Sequence, residues 1–165
     1  MRGTVDRENL NEPYSLVLDR LYDTLEDRLK KWSLRAISLV GCGGRFKKKM
    51  EKIERLWFDR MAVACDIASA LSFLHAQKII YRDLKPENMG FDARGNIKLF
   101  DFGLAREMDP GYTPGETYLM TAFTGSLRYM APEVALGIPY NLSSDIYSFG
   151  ILFWQICALE IPFSG

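Results

Sequence analysis

Two aspartates and an asparagine near the middle of the chain are the residues best suited to chemistry. Asp83 and Asn88 lie in the segment YRDLKPEN at residues 81–88, and Asp101 begins the triplet DFG. Carboxylate and amide oxygens suit Mg²⁺, which is usually held by one or two side chains together with phosphate and water. Phosphoryl transfer needs such ions and a group that orients the attacking hydroxyl, but little covalent chemistry from the protein. The three side chains therefore suggest a phosphoryl-transfer centre.

Turn formation is the competing interpretation of the same residues, because Asp and Asn often stabilise turns. A single Asp-plus-Asn pair would favour it. The sequence instead holds three short motifs in order: YRDLKPEN, then DFG at residues 101–103, then APE at residues 131–133. Pro86 would stiffen the first motif, and Gly103 would let the chain turn sharply after Asp101. The combination favours a catalytic centre over three unrelated turns.

In order and spacing, the three motifs resemble the catalytic half of a eukaryotic-type protein kinase, in its serine/threonine (tyrosine-kinase-like) branch. The resemblance covers residues 14–165. It implies a mainly α (α+β) fold, a kinase-like C-terminal lobe fragment with a short β-hairpin at the catalytic site. It also implies transfer of the ATP γ-phosphoryl group to Ser or Thr of protein substrates. Lys85 is typical of serine/threonine kinases, and residues 124–133, TGSLRYMAPE, are similar to the same branch. Within them, Ser126 would link this segment to Asp83 and Lys85.

The resemblance assigns roles to single residues. Asp83 would be the base that accepts the proton of the substrate hydroxyl, and Lys85 would neutralise the transferring phosphate. Asn88, the third catalytic residue, would ligate Mg²⁺ together with Asp101. Asp145 would accept hydrogen bonds from backbone amides of the catalytic loop and hold its geometry.

ATP is the co-substrate that the resemblance implies. Residues 14–18 would form the last strand of the upper lobe and residues 19–21 the hinge, with Leu18 guarding the back of the nucleotide pocket. Gly90 stands where a leucine usually floors the adenine pocket, and Tyr81 replaces the more common histidine of the loop. The residues that would meet the nucleotide are Leu18, Asp19, Leu21, Lys85, Asn88, Gly90 and Asp101.

Activation by an upstream kinase is the regulation that the resemblance implies. The activation segment, residues 101–133, contains several hydroxyl side chains, of which Thr117 and Thr121 are the favoured phosphorylation sites. Arg82 would hold the phosphate, with Arg106 as a second cation. The competing interpretation is that Arg82 only contacts the backbone of the loop.

The sequence shows no glycine-rich phosphate loop and no Val-Ala-Ile-Lys strand before the catalytic motifs. We therefore expect a partial domain, with residues 1–13 frayed. Residues 14–165 would run from the hinge to the central helix of the C-terminal lobe, without the N-terminal lobe and the last C-terminal helices. Two functions fit: a serine/threonine kinase present as a truncated domain, or a catalytically inactive kinase-like interaction module. Intact Asp83, Asn88 and Asp101 favour the kinase. A small-molecule phosphotransferase would share the loop but would not explain residues 124–133.

Composition excludes several classes of function. The 165 residues carry 21 basic and 21 acidic side chains, so bulk charge does not favour a nucleic-acid partner. The single histidine, His75, excludes a histidine-rich metal site, and the three cysteines form no CxxC pair. The longest apolar stretch, residues 149–159, is shorter than the roughly 20 residues of a membrane span, so no membrane partner is expected. The polar N-terminus predicts a cytoplasmic protein, with the nucleus as the alternative.

Two apolar stretches predict the main packing elements. Residues 56–74 and 146–159 are apolar nearly all round, which predicts buried helices without a polar face. Short strands are expected near residues 89–92 and 97–100, and Gly95 would supply the positive φ of the turn between them.

Shorter signals predict where other helices begin. Asp23 with Glu26 three residues later indicates a helix start. The basic residues 45–55 predict the solvated face of a separate helix. Pro132 can open a short helix that Gly137 closes.

Overall fold

The computed structural model of this chain describes residues 18–41, 46–108 and 111–164. The helices, in chain order, are α1 (Leu25–Gly41), α2 (Phe46–Ala76), α3 (Pro132–Ala135) and α4 (Ser143–Ala158). The strands are β1 (Asp23–Thr24), β2 (Ile79–Ile80), β3 (Met89–Phe91), β4 (Ile97–Leu99) and β5 (Arg106–Glu107). Short 3-10 helices occur at Pro86–Asn88 and Leu127–Tyr129. The mainly α (α+β) class is therefore confirmed, while the expectations for residues 1–17 lie outside the described residues.

Helix α1 begins at Leu25 because two side chains cap it reciprocally. The Asp27 amide donates to Oγ1 of Thr24 (3.2 Å), and the Thr24 amide donates to Oδ2 of Asp27 (3.1 Å). These bonds satisfy N–H groups that the first turn of a helix leaves free. The predicted cap of Asp23 with Glu26 is wrong by one residue, because Thr24 and Asp27 form the reciprocal bonds.

Helix α2 is one continuous helix of 31 residues. Its residues 46–55 are nearly all exposed, as a solvated helix face requires, but they do not form a helix of their own. One face of α2 packs against α1 and α4. The opposite face carries large apolar side chains that are exposed, among them Trp57, Phe58 and Phe73. The prediction that residues 56–74 are buried all round is therefore wrong. The buried residues are Leu56, Arg60, Val63, Ala64, Ile67, Leu71 and Leu74.

Helix α4 also has one buried face, and that face is partly polar. Its buried residues are Ser144, Asp145, Ser148, Leu152, Gln155 and Ile156. Ile146, Phe153 and Trp154 are exposed on the other side. The prediction of all-round burial for residues 146–159 is wrong for the same reason as in α2: neighbouring elements cover only one side.

A buried arginine joins the two long helices. Arg60 of α2 donates Nε to the carbonyl of Ile156 (2.7 Å), and its Nη2 donates to the carbonyl of Cys157. These carbonyls lie in the last turn of α4, where a helix leaves C=O groups without partners. Arg60 thus fixes the end of α4 against α2 and helps to set the position of the residues at its start.

The predicted hairpin forms and is confirmed. Strand β3 pairs antiparallel with β4, with Gly90 opposite Lys98, and Gly95 has the expected positive φ of +84°. Strand β1 adds to the other edge of β3. A second, two-stranded sheet pairs Ile80 of β2 with Arg106 of β5. The sequence did not predict these extra strands, because two residues are too few to show an alternating pattern.

Two apolar clusters support the catalytic region. The larger one joins α1, α2 and α4 with the hairpin, and its most buried members are Leu25, Ile67, Leu71, Phe91, Met89, Leu152 and Ile156. The smaller one lies beneath the activation segment and consists of Ile80, Met108, Met120, Ala131, Val134 and Tyr140. None of the described helices has an apolar run long enough to cross a membrane.

Candidate active site

The catalytic loop, residues 81–88, is fixed by one buried carboxylate. Asp145, in the first turn of α4, accepts hydrogen bonds from the Tyr81 amide to Oδ2 (2.8 Å) and from the Arg82 amide to Oδ1 (2.8 Å). Nε2 of His75 lies 2.9 Å from the same Oδ2. Asp145 is only 1% exposed, so water does not compete for these bonds. The contacts expected of Asp145 are present, and His75 serves the structure of the loop.

Tyr81 anchors the loop to the strand that precedes Asp101. Its hydroxyl donates to the carbonyl of Phe100, and its ring meets Phe102 edge-on with centroids 5.3 Å apart. Burial raises the pKa of Tyr81 above its usual value, and the carboxylates of Asp83 and Asp101 add to the effect. The hydroxyl therefore stays protonated and remains a hydrogen-bond donor at neutral pH.

Both carboxylate oxygens of Asp83 are hydrogen-bonded. Oδ1 accepts from the amide (3.0 Å) and the hydroxyl (2.9 Å) of Ser126. Oδ2 accepts from Nδ2 of Asn88 (2.7 Å) and lies 2.8 Å from Nζ of Lys85. The structure thus brings three predicted catalytic residues together, and it adds Ser126 from a distant part of the sequence.

The surroundings of Asp83 favour its charged form. Burial alone would raise the pKa of this carboxyl, but the hydrogen bonds from Lys85, Ser126 and Asn88 outweigh burial. The pKa of Asp83 consequently lies below the usual value for aspartate. A carboxylate that stays ionised at neutral pH can accept a hydrogen bond from a substrate hydroxyl and orient it.

Asn88 turns its amide nitrogen toward Asp83. Nδ2 donates to Oδ2 and to the backbone carbonyl of Asp83 (2.7 and 3.0 Å), so Oδ1 of Asn88 takes no part in these two bonds. The Phe100 amide donates to the Asn88 carbonyl (3.1 Å), so the following residue, Asp101, lies next to the loop. An amide oxygen and a carboxylate are suitable ligands for Mg²⁺ when phosphate and water complete its shell.

Groups of three or more His, Cys, Asp or Glu side chains placed to hold a metal are absent from the part of the chain that the structure describes. Asn88 and Asp101 offer one amide oxygen and one carboxylate, so phosphate and water would have to supply the other ligands of a Mg²⁺ ion. Their role as Mg²⁺ ligands stays a prediction.

The chain turns after β4 at Gly103, as predicted. The Ala105 amide donates to the Phe102 carbonyl at 3.0 Å and closes a turn over residues 103–104. Asp101 just before it has a φ of +56°, in the left-handed region that Asp tolerates better than most residues. Its Oδ1 accepts the Gly103 amide at 3.3 Å. A β carbon at Gly103 would lie 3.2 Å from that carboxylate oxygen, so glycine provides room for the Asp101 side chain.

Gly125 allows the activation segment to touch the catalytic loop. Its φ is +100°, and a β carbon at this position would lie 2.2 Å from the backbone oxygen of Arg82. The close approach brings the next residue, Ser126, to Asp83. The predicted link from Ser126 to Asp83 is therefore present, although the two residues are 43 positions apart in the sequence.

Arg82 is already engaged by the protein. Nε donates to the carbonyl of Leu104 (2.7 Å), and Nη1 donates to the hydroxyl of Tyr140 (3.3 Å). The contact with the loop backbone, which was the competing interpretation of Arg82, is therefore present. Arg82 also contacts Tyr140, which the sequence did not single out. Arg106 is exposed in β5, where it pairs with Ile80 of the catalytic region.

The predicted nucleotide residues fall into two groups. Leu21 lies directly over Gly90, because a β carbon on Gly90 would come 2.6 Å from Cδ1 of Leu21. Gly90, at the predicted floor of the adenine pocket, has no side chain of its own and is covered by the side chain of Leu21. Leu18 and Asp19 are exposed and form no regular structure. Their role in nucleotide binding stays a prediction.

A groove adjoins the catalytic loop on the side of α1. Its volume is about 560 Å³, and its walls come from α1, from Pro86 and Glu87, and from the chain around the end of α4. Acidic side chains of Glu26, Glu87 and Glu160 line it, together with the basic side chains of Lys30 and Arg128. A separate cavity of about 740 Å³ lies between α1 and α2. Neither is lined by a predicted site residue, but the groove adjoins Pro86 and Glu87 of the catalytic loop.

Known proteins share these features. The profile of the protein kinase domain matches residues 25–165. Over 122 residues the chain is 40% identical to the eye isozyme of protein kinase C from Drosophila melanogaster, covering 74% of this chain and 15% of that protein. Over 100 residues it is 45% identical to cAMP-dependent protein kinase type 3 of Saccharomyces cerevisiae, covering 61% and 23% respectively.

A third relative matches nearly the whole chain. The chain is 36% identical over 164 residues to cGMP-dependent protein kinase 2 of Homo sapiens, covering 97% of this chain and 20% of that protein. The chain therefore spans less than a quarter of the length of each of these relatives.

Proposed function

Since the chain belongs to the protein kinase domain family, we propose that it supplies the phosphoryl-transfer centre of a protein serine/threonine kinase. The observation that carries the proposal is the environment of Asp83. One buried carboxylate meets Lys85, Asn88 and Ser126 within 3.0 Å. A turn-capping aspartate would not require a lysine and a serine 43 residues away as partners.

Asp83 orients the substrate hydroxyl and accepts its proton as the phosphoryl group arrives. Its Oδ2 is the oxygen for this step, because the Lys85 ammonium and the Asn88 amide that contact it are side chains that can shift. Oδ1 stays bound to the backbone amide of Ser126 and holds the carboxylate in place. Lys85, which is 24% exposed at its side chain, can then turn to the incoming phosphate and neutralise charge there.

Asn88 and Asp101 are the residues that would hold Mg²⁺. When bound, the ion bridges phosphate oxygens and spreads their negative charge. The Oδ1 of Asn88, which takes no part in the bonds to Asp83, and the exposed carboxylate of Asp101 support this assignment. ATP would be the phosphoryl donor, with Leu21 over Gly90 as the part of the described chain that would lie under the base.

A protein chain is the proposed acceptor. The groove of about 560 Å³ beside Glu87 has room for side chains of an extended peptide whose hydroxyl reaches Asp83. Lys85 and the segment at residues 124–133 support serine or threonine as the acceptor residue. Thr117 and Thr121 are exposed and thus open to an upstream kinase. A cytoplasmic or nuclear location belongs to the same proposal.

Phosphoamino-acid analysis on the full-length protein tests the proposal. The protein is incubated with γ-labelled ATP, Mg²⁺ and a protein substrate mixture, alongside Asp101→Asn and the control Asp92→Asn, whose carboxylate stabilises the β3–β4 turn. We expect label on serine or threonine, retained by Asp92→Asn and largely lost in Asp101→Asn. Label mainly on tyrosine contradicts the serine/threonine assignment. Absence of transfer by the full-length protein supports the alternative of an inactive kinase-like interaction module.

A further inference from the structure

Tyr140 occupies a central place between the activation segment and the catalytic loop. It is 1% exposed and belongs to the smaller apolar cluster. Its backbone pairs with that of Tyr118 in an isolated antiparallel bridge, with N–O distances of 2.9 and 3.0 Å. The ring is therefore fixed in position before its hydroxyl makes any contact.

The Tyr140 hydroxyl joins two parts of the chain that are otherwise separate. It donates to the backbone carbonyl of Thr121 at 2.9 Å, and it accepts from Nη1 of Arg82 at 3.3 Å. The same guanidinium donates through Nε to the carbonyl of Leu104 at 2.7 Å. Arg82 and Tyr140 together thus bind the start and the far part of the activation segment and hold both against the catalytic loop.

The position of Thr121 affects Asp83 through a short path. The Thr121 carbonyl also accepts from Oγ1 of Thr124 at 2.9 Å. Gly125 follows and touches the backbone of Arg82, and then Ser126 donates twice to Asp83. A shift of the chain at Thr121 would therefore displace the two donors that hold Oδ1 of Asp83.

We propose that Tyr140 is a positioning residue whose hydroxyl keeps the activation segment seated on the catalytic loop in a chain that bears no phosphate. The proposal concerns the placement of Ser126 and of the peptide acceptor. Its kinetic consequence rests on the proposed function, because an effect on turnover requires kinase activity. The structural consequence, a contact of the Tyr140 hydroxyl with the segment at Thr121, stands on the geometry alone.

A purely packing role for Tyr140 gives different expectations. The ring contributes to the apolar cluster, and phenylalanine would preserve that packing. Removal of the hydroxyl alone leaves the Thr121 carbonyl with its bond from Thr124, while Nη1 of Arg82 loses its acceptor. The substitution Tyr140→Phe therefore separates the hydroxyl from the ring.

The matched control is Tyr118→Phe. Tyr118 is the bridge partner of Tyr140, and in the described chain its hydroxyl bonds to Thr113 and Glu116, both within the activation segment. This substitution removes a more exposed tyrosine hydroxyl from the same bridge without touching the link to the catalytic loop.

The experiment uses the full-length protein after phosphatase treatment. Amide hydrogen exchange is measured for residues 118–126 and for α4, together with steady-state kinetics for a peptide substrate and for ATP. For Tyr140→Phe we expect exchange at residues 118–126 to rise about 2- to 10-fold, as the loss of one hydrogen bond implies. We expect kcat/KM for the peptide to fall by a similar factor, with the KM for ATP and the exchange in α4 unchanged. Tyr118→Phe should leave kcat/KM at the wild-type value.

Two outcomes overturn the proposal. In the first, Tyr140→Phe leaves exchange at residues 118–126 unchanged, which shows that the hydroxyl does not hold the segment. In the second, exchange rises equally in the segment and in α4, which shows that Tyr140 stabilises the fold in general. The exchange measurement needs no activity, so it stays decisive even if the full-length protein transfers no phosphate and the proposed function fails.

Discussion

The catalytic loop, residues 81–88, and the outer part of the activation segment, residues 111–124, are both irregular chain, yet they are held in different ways. The loop is fixed by buried polar side chains, chiefly Asp83, Asn88 and Asp145. The outer segment depends on the Tyr118–Tyr140 bridge and a few side-chain contacts to its backbone. Within it, Leu119 and Phe123 are 77% and 71% exposed.

The catalytic loop is therefore held in place more firmly than the outer part of the activation segment. Several buried hydrogen bonds must break together before the loop moves, which raises the free energy of local opening. The outer segment is held by the two backbone bonds of the Tyr118–Tyr140 bridge and by single bonds at Glu116, Thr121 and Phe123. Substitutions that remove loop contacts should therefore affect folding and activity together, whereas substitutions in the segment should affect activity and local exchange first.

The largest effect is expected for Asp145→Ala. The substitution removes the acceptor for the amides of Tyr81 and Arg82 and for His75, and it leaves the amides buried and unpaired. We expect the free energy of unfolding to fall by about 3–5 kcal/mol, with phosphoryl transfer lost. Chemical denaturation of the full-length protein measures this, with the exposed Asp66→Ala as the control. Equal stabilities of the two variants would contradict the fixed-loop account.

Gly125→Ala should rank second. The new β carbon would lie 2.2 Å from the backbone oxygen of Arg82, and alanine tolerates the φ of +100° poorly. We expect a loss of about 3 kcal/mol in the free energy of unfolding, combining overpacking with backbone strain. Gly115→Ala is the matched control, because Gly115 has a φ of +91° but nothing within 4 Å. That control should lose only about 1 kcal/mol. Similar losses in both variants would show that the contact between segment and loop is unimportant.

Ser126→Ala should have a smaller effect that depends on pH. It removes the hydroxyl donor to Asp83 and leaves the amide, so the pKa of Asp83 should rise toward the usual value. We expect about 1.5–3 kcal/mol less stability at neutral pH. A lowered carboxyl pKa contributes stability that is present above the unfolded value of about 3.9 and is lost as the pH falls through the folded value.

The difference in unfolding free energy between wild type and Ser126→Ala should therefore be full at pH 7 and shrink as the pH falls below about 4. Urea unfolding at a series of pH values measures it. Ser69→Ala, which removes an exposed hydroxyl bonded within α2, is the control and should show no such dependence. A difference that stays constant down to pH 3 would contradict the assignment of the Ser126 bonds to an ionised Asp83.

Asn141→Ala should have the smallest effect, and this effect should be limited to the outer segment. Nδ2 of Asn141 donates to the carbonyl of Glu116 at 2.9 Å, and Oδ1 accepts the Ser143 amide at 2.9 Å. We expect a loss of about 1 kcal/mol, with faster amide exchange at residues 111–124 and unchanged exchange at residues 81–88. Faster exchange in the catalytic loop would remove the distinction between the two regions. Asn96→Ala, in the β3–β4 turn, should change neither region.

The sequence predicted the catalytic loop better than the elements around it. The loop residues Asp83, Lys85 and Asn88 lie within six positions, so a short sequence motif is enough to predict that they are close in space. The hairpin was predicted because a glycine turn between two short apolar runs is a local signal. Asp145 was also assigned correctly through its motif, although its partners lie 63 and 64 residues away.

The failures have a common physical origin, which is that burial depends on neighbours distant in sequence. Apolar residues such as Phe58 and Trp154 suggested helices buried all round, but the described chain covers one side of each helix. The start of α1 was missed by one residue because Asp23 and Thr24 can both cap a helix, and the Asp23 carboxylate pairs instead with Arg28 and Lys31. Tyr140 carried no signal, because its hydroxyl partners Arg82 and Thr121 become neighbours only after folding.

The central claim is that Asp83, kept ionised by its hydrogen-bond donors, is the group that orients the substrate hydroxyl. The most direct test is the single-turnover rate of phosphoryl transfer by full-length Asp83→Asn, compared with Asp92→Asn and with Mg²⁺–ATP affinity measured on the same samples. We predict a rate lower by about 10²–10⁴-fold for Asp83→Asn, with nucleotide affinity retained and Asp92→Asn close to wild type. A near-wild-type rate for Asp83→Asn would contradict the account.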